Sequence, residues 1–186
     1  YPGHPKSDYA MYRIAEAYFE QVPSEWWFLP PAAEKDQASV RRALSAYHDI
    51  LARYPESEYA KDADEKHRIC RSRLAEHEIY VAKFYQRRKK DEAAIARLQS
   101  ALVDFSGSDS DSEMLWLMAQ SLERVGKINA AIETLERLLK SYPLAKQGFE
   151  ARHKLDALLA KTATPPDDQT SSEANPASTE GSPLQQ

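Results

Sequence analysis

The chain has 186 residues, 42% of them hydrophobic and 29% charged, enough for one ordinary domain or a short repeat array and too few for two large catalytic lobes. Twenty-five lysines and arginines against 29 aspartates and glutamates give a net charge of −4, the wrong sign for a protein that grips bulk polyanions. Five glycines are too few for phosphate cradles and many tight β-turns, and the single cysteine, Cys70, rules out an intramolecular disulfide. A chain of this length buries roughly 70% of its unfolded surface and needs no metal or disulfide staple. A lone thiol fits a reducing or an oxidising compartment.

In chain order, the apolar residues recur at helical spacing almost throughout. Ser7 and Asp8 are placed to cap a first helix whose face carries Met11, Ile14, Ala15, Tyr18 and Phe19 and which stops near Pro23. Residues 22–36 read as an inserted loop, because Pro30 and Pro31 exclude a regular helix. Its cluster Trp26-Trp27-Phe28-Leu29 is far short of the ~20 apolar residues of a membrane span. Asp36 is placed to cap a second helix with the stripe Val40, Ala43, Leu44, Tyr47, Ile50, Leu51 and Tyr54, closed by Pro55. No breaker then interrupts Glu58 to Lys90, which predicts one unusually long helix with Ile69, Leu74, Val81 and Tyr85 along its ridge. Further helices are expected at 91–105, 111–125, 128–141 and 146–160, with turns at Gly107 and Gly126.

From Lys161 the composition changes. The last 26 residues hold four prolines, eight serines or threonines, no aromatic residue and, of the large apolar types, only Leu184. Such a segment does not repay its ordering entropy, so a disordered tail is expected over 161–186. Residue 1 is a tyrosine with no basic-then-apolar leader behind it, which points to processing or to an absent upstream portion and leaves the compartment open.

Seven helices with short turns invite a search for an internal period. In the 34-residue unit Ser112–Ala145, Leu115, Met118, Ala119 and Leu122 occupy offsets 4, 7, 8 and 11, and Ala131, Leu135, Leu138 and Pro143 occupy offsets 20, 24, 27 and 32. Those are the tetratricopeptide offsets. Small residues at 8 and 20 let paired helices approach, larger ones fill the groove between them, and proline ends the second helix. A second unit, Ala75–Ser108, sets Val81, Ala82 and Tyr85 at 7, 8 and 11, with Ala94, Leu98 and Ala101 at 20, 24 and 27 and Ser106 replacing the proline. A third, Asp8–Ser57, fits once a 16-residue insertion is allowed, matching Ile14, Ala15 and Tyr18, then Ala43, Tyr47, Ile50 and Pro55. Three matches at one period favour an all-α, tetratricopeptide-like solenoid of antiparallel helix pairs over an irregular bundle. The expected parts are a repeat at 1–57 with loop 22–36, a long connecting helix and repeat at 58–108, a repeat at 109–145, a capping helix at 146–160 and the tail. The long helix starts about five turns early for its repeat, so its first half is expected to bridge two sub-arrays.

Several strings carry a more specific likeness. They are Ser7-Asp8-Tyr9-Ala10-Met11-Tyr12, Arg53-Tyr54-Pro55-Glu56-Ser57-Glu58-Tyr59-Ala60-Lys61-Asp62-Ala63, and the run from Arg73 through His77 and Tyr80 to Tyr85. Together with the long loop that precedes Arg41-Arg42-Ala43-Leu44-Ser45-Ala46-Tyr47, they resemble the BamD family of outer membrane protein assembly factors over about residues 1–143. The interrupted repeat and the overlong helix recur there together, in order. The resemblance implies a lipoprotein on the periplasmic face of the outer membrane, anchored by an N-terminal lipidated cysteine, with five tetratricopeptide-like repeats. It implies partners too: BamA, chiefly its membrane-proximal POTRA domain, held by the C-terminal repeats; other lipoproteins of the assembly machinery; and unfolded β-barrel substrates, met by a groove of the N-terminal repeats. On that pattern this chain supplies only the third, fourth and fifth repeats, the anchor and first two repeats lie outside it, and Cys70 is not the lipidated cysteine.

The same resemblance matches Arg97 to an arginine that pairs with BamA. From the residues alone, Arg97 beside the ridge Ile95, Leu98 and Leu102 either sits in solvent or forks onto a partner carboxylate. Trp26, Trp27 and Phe28 either fold back over the adjacent repeat or anchor a partner or membrane surface. The basic run Lys83, Arg87, Arg88, Lys89 and Lys90 has the composition of an anion-binding patch, but it also ends a long helix, where positive charge meets the C-terminal dipole; in an acidic chain the second reading is preferred and nucleic acid is not an expected partner. His67 and Cys70 share a face three residues apart, whereas His77 lies roughly 10 Å further along, too far for one metal's ligand shell. Cys70 is therefore read as a packing residue. His77 and Glu78, adjacent on a helix, do not face each other and make no catalytic dyad.

No nucleophile elbow, zinc-protease helix or glycine-rich phosphate loop occurs, so neither catalysis nor a metal or cofactor is expected. The expected function is a non-catalytic scaffold of the outer-membrane β-barrel assembly complex, with residues 91–142 facing BamA. A periplasmic cell-envelope or division coordinator and a cytoplasmic peptide-binding adaptor use the same architecture. Upstream sequence separates the three: a leader plus lipidation cysteine, a leader alone, or neither.

Overall fold

The computed structural model describes residues 4, 6–21 and 37–163. All regular structure among them is α-helical: α1 (Ser7–Phe19), α2 (Ala38–Arg53), α3 (Ala60–Arg87), α4 (Asp91–Asp104), α5 (Asp111–Arg124), α6 (Ile128–Ser141) and α7 (Gly148–Ala163). Each helix packs against the next, and α3 also touches α5. Connections of a few residues at 88–90 and 125–127 force neighbouring helices to run antiparallel. The result is a succession of stacked helix pairs, a tetratricopeptide-like solenoid.

The small residues at repeat offsets 8 and 20 all lie inside the stack. Ala15, Ala43, Ala82, Ala94, Ala119 and Ala131 are all wholly buried. Around them Tyr47, Ile50, Leu74, Leu98, Leu115, Leu135 and Leu138 fill the space between pairs. A leucine at position 119 would force two backbones apart. Ala119→Leu is expected to cost about 1–3 kcal/mol, read as a lowered urea midpoint at unchanged slope; an unchanged midpoint would show that α5 has room there.

Two positions depart from the periodicity reading. Ile69, expected on the ridge of α3, is exposed, and Cys70 takes the buried position beside it. Ile14, at offset 7 like the buried Met118, is 54% exposed. Met118 belongs to α5, which packs against both α4 and α6, whereas α1, the first described helix, has no described helix before it.

The helix starts also differ from expectation. Ser7 is already helical, and α1 is preceded by Lys6, which makes no side-chain cap. Asp8 instead accepts from the Tyr9 backbone N–H at 2.7 Å and from the Ser57 hydroxyl at 2.7 Å, tying the start of α1 to the turn before α3. Asp36 lies outside the described residues, and α2 begins after Gln37. Residues 161–163, expected in the tail, extend α7, which Ala151 and Leu158 anchor by burial; 164–186 lie outside the described residues.

Helix α3 and helix α5 end the same way. Lys90 N–H donates to the Tyr85 carbonyl and Lys89 N–H to Gln86, just as Lys127 donates to Leu122 and Gly126 to Glu123. Each pair of bonds is the double closure that needs a left-handed residue. Gly126 supplies it at φ 78°, but at the equivalent place in α3 Lys89 is held at φ 58°. A side chain there is strained. Lys89→Gly is expected to stabilise the protein by about 0.5–1 kcal/mol, relief of that strain outweighing the entropy glycine adds to the unfolded chain; a fall in the melting temperature would refute it.

No described helix is long and apolar enough to cross a membrane.

Candidate functional site

Helix α3 has 28 residues, about 42 Å of continuous rod. Its first half meets α1: the Tyr12 hydroxyl donates to Asp62, and Lys66 Nζ reaches Glu16 at 2.6 Å and Asp62 at 2.9 Å. The Tyr47 hydroxyl also donates to Glu16, at 2.6 Å, joining α2 to the same knot. Burial, then the hydrogen bond to Glu16, pushes the Tyr47 phenol far above its ordinary range, so it stays protonated. The second half meets α5. Lys83 pairs with Glu113, and Gln86 donates to the Leu117 carbonyl at 2.9 Å and to the Ser121 hydroxyl at 2.8 Å. Arg124 continues the chain of contacts, donating to Ser121 at 3.2 Å and to Asp91 at 2.6 and 2.8 Å. Its hydrogen bonds hold the Asp91 carboxyl below the usual range.

Helices α2 and α4 both lie on α3, and a groove opens between them. At its floor Glu78 is buried, on the same face as Leu74, Ala75 and Ala82. A buried carboxylate needs cations. Arg97 of α4 supplies one, Nη1 to Oε2 at 3.3 Å, and Arg41 of α2 the other, Nη2 to Oε1 at 3.6 Å. Glu78 thereby clamps the two walls to the floor. The groove is two adjoining cavities of about 510 and 480 Å³ that share Arg41, Asp104 and Phe105. Tyr85 and Ser100 continue the first, and His48, His67 and Arg71 the second.

Arg97, singled out from the sequence, thus sits neither loose in solvent nor aimed wholly outward: half of its side chain is exposed, and one guanidinium nitrogen is held by Glu78. Trp26, Trp27 and Phe28 lie outside the described residues. In the basic run, Lys83 is spent on Glu113, Arg88 lies 4.3 Å from the centre of the Phe84 ring, and Lys89 forms the left-handed turn. His67 does not share its surroundings with Cys70: it faces His48, ring centres 6.0 Å apart, while Cys70 is enclosed. Among the described residues no three histidine, cysteine or acidic side chains gather as a metal set.

The sequence reading missed Glu78, Arg41, His48 and Arg71. For Glu78 a signal existed, since it stands one turn from Leu74 and one from Ala82 in the buried stripe, where an acid calls for a paired cation. Nothing in a linear pattern names Arg41 as that cation, 37 residues away.

Burial pushes the Cys70 thiol up to about 11. Thiol chemistry needs both thiolate and access. Cys70 is expected to react with Ellman's reagent at about pH 8 at least about 100-fold more slowly than free cysteine, and to recover the full rate in urea; prompt labelling of the native protein would show an accessible, functional thiol.

The fold defines a tetratricopeptide-like helix-pair scaffold with a groove between α2 and α4. The sequence model of the YfiO family, described as outer membrane lipoprotein, matches residues 1–138, and the chain belongs to that family. It is similar to outer membrane protein assembly factor BamD of Caulobacter vibrioides, 31% identical over 126 residues, which cover 68% of this chain and 39% of that protein. The same-named protein of Vibrio cholerae is 28% identical over 77% of this chain and 60% of its own length, and that of Neisseria meningitidis serogroup A is 25% identical over 77% and 54%. The chain therefore spans about half the length of these curated relatives.

Proposed function

We propose that the protein is a non-catalytic scaffold of the outer-membrane β-barrel assembly machinery, acting on the periplasmic face of the outer membrane and anchored by a lipidated cysteine upstream of these residues. Its relatives carry the name of assembly factors, and its own stacked pairs offer a rigid surface whose ordering cost is met on folding rather than on binding. Residues 91–142 hold BamA through its membrane-proximal POTRA domain. Other lipoproteins of the machinery and unfolded β-barrel substrates complete the set of partners, and substrates are delivered without covalent chemistry.

The observation that carries this reading is the state of Arg97. Glu78 orients the guanidinium from below at 3.3 Å while half of the side chain remains in solvent. A planar fork with five donors, held by one, is prepared to take a second carboxylate from above. Charge reversal is a poor test, because Arg97→Glu would set a second acid over buried Glu78 and weaken the fold itself. Arg97→Gln keeps a donor and leaves Arg41 on Glu78. It is expected to weaken binding to the isolated POTRA domains of BamA by about 1–2 kcal/mol in a calorimetric titration, with the melting temperature as control. Unchanged affinity would remove Arg97 from the interface. Purification of the full-length protein from solubilised outer membrane without BamA would remove the wider reading.

A further inference from the structure

The second cavity of the groove, about 480 Å³, has no part in the Arg97 contact, since Arg97 lines only the first. Its floor is apolar: Leu74 and Phe105 are buried, and Leu44 packs against the same core. Its rim carries two arginines and two histidines. Arg41 and His48 come from α2 and His67 and Arg71 from α3, against the single carboxylate of Asp104 from α4. The two imidazoles stand side by side, ring centres 6.0 Å apart. Arg71 Nη2 donates to the Gly107 carbonyl at 3.1 Å, which fixes the guanidinium, yet its Nε–H is buried without an acceptor.

We propose that this cavity binds an acidic peptide segment of a partner polypeptide, with one carboxylate seated among Arg71, His67 and His48 and an apolar neighbour laid on Leu44, Leu74 and Phe105. Apolar floor and charged rim together suit a side-chain pair rather than a free inorganic anion, and the volume is that of a small-ligand pocket. The site is pH-dependent. Burial first, then Arg71 and His48, hold the His67 pKa below the ordinary imidazole value, with Asp64 of the same helix acting in the opposite direction. A bound carboxylate lifts that pKa, so binding takes up a proton. Affinity therefore rises as pH falls through the interval between the free and bound values, and levels off below both.

The test uses the full chain and a fluorescein-labelled octapeptide with capped ends, one aspartate between a leucine and a phenylalanine, and glycine and serine elsewhere. By fluorescence anisotropy it is expected to bind about fivefold more tightly at about pH 5.5 than at about pH 7.5. Arg71→Gln is expected to weaken binding about tenfold at both values. His48→Gln combined with His67→Gln is expected to abolish the pH step, and this double variant decides the matter if loss of the Arg71–Gly107 bond unfolds the protein. The peptide titration contains no BamA, so its outcome is read apart from that of the POTRA titration. The proposal is overturned if the peptide with asparagine for aspartate binds equally well, if Arg71→Gln at unchanged melting temperature binds as the parent does, or if the pH step survives removal of both histidines.

Discussion

The separation of paired helices is set at six alanines. Because Ala15, Ala43, Ala82, Ala94, Ala119 and Ala131 present only a methyl group at each crossing, two backbones approach until the larger side chains on either side interdigitate. Each crossing fixes the relative position of one helix and the next, and the stacking repeats the result along the chain. The groove between α2 and α4 follows from it. Both helices are seated on α3, and the groove is the space left between them. The polar contacts decorate this frame without creating it.

Within the frame, Glu78 does what alanine cannot. Apolar contacts tolerate sliding, whereas a buried carboxylate between Arg41 and Arg97 is satisfied at one arrangement of three helices. Removing either arginine leaves a desolvated charge half-compensated, a heavier loss than that of an exposed ion pair. The Ser121–Arg124–Asp91 contacts and the fourfold acceptance by Asp111, from Gly107, Ser108 N–H, Ser108 hydroxyl and Tyr142, perform a comparable service further along. Register between pairs is thus set by few, directional bonds laid over many non-directional ones.

Helix order and the close-approach alanines were legible in the sequence because both are local: breakers mark the ends, and a 34-residue period marks the small residues. The ridge of α3 was less so. Over 28 residues at 3.6 per turn a stripe drifts around the rod, so a helix serving different neighbours at its two ends has no single inner face: Ile69, expected on the ridge, is exposed, while Cys70, read as a packing residue, is buried. Lys89 escaped notice because left-handed closure is read from glycine, and here the chain strains a lysine into it. The groove was the least legible element. Its residues come from three helices; Glu78 is marked by its place in the buried stripe of α3, but Arg41 and Arg97 carry no spacing that distinguishes them from the many charged residues of an acidic surface. Family likeness brought out Arg97, but only the packed structure shows what lies beneath it.

The unbroken run of α3 has a mechanical consequence. Solenoids flex at the loops between their units, and a helix that belongs to one pair at its start and another at its end removes one such joint. A load applied near Lys66 is delivered near Gln86 by a single stiff beam, with no compliant link between them. The groove between α2 and α4 lies along that beam, on the part of the stack with no loop beneath it.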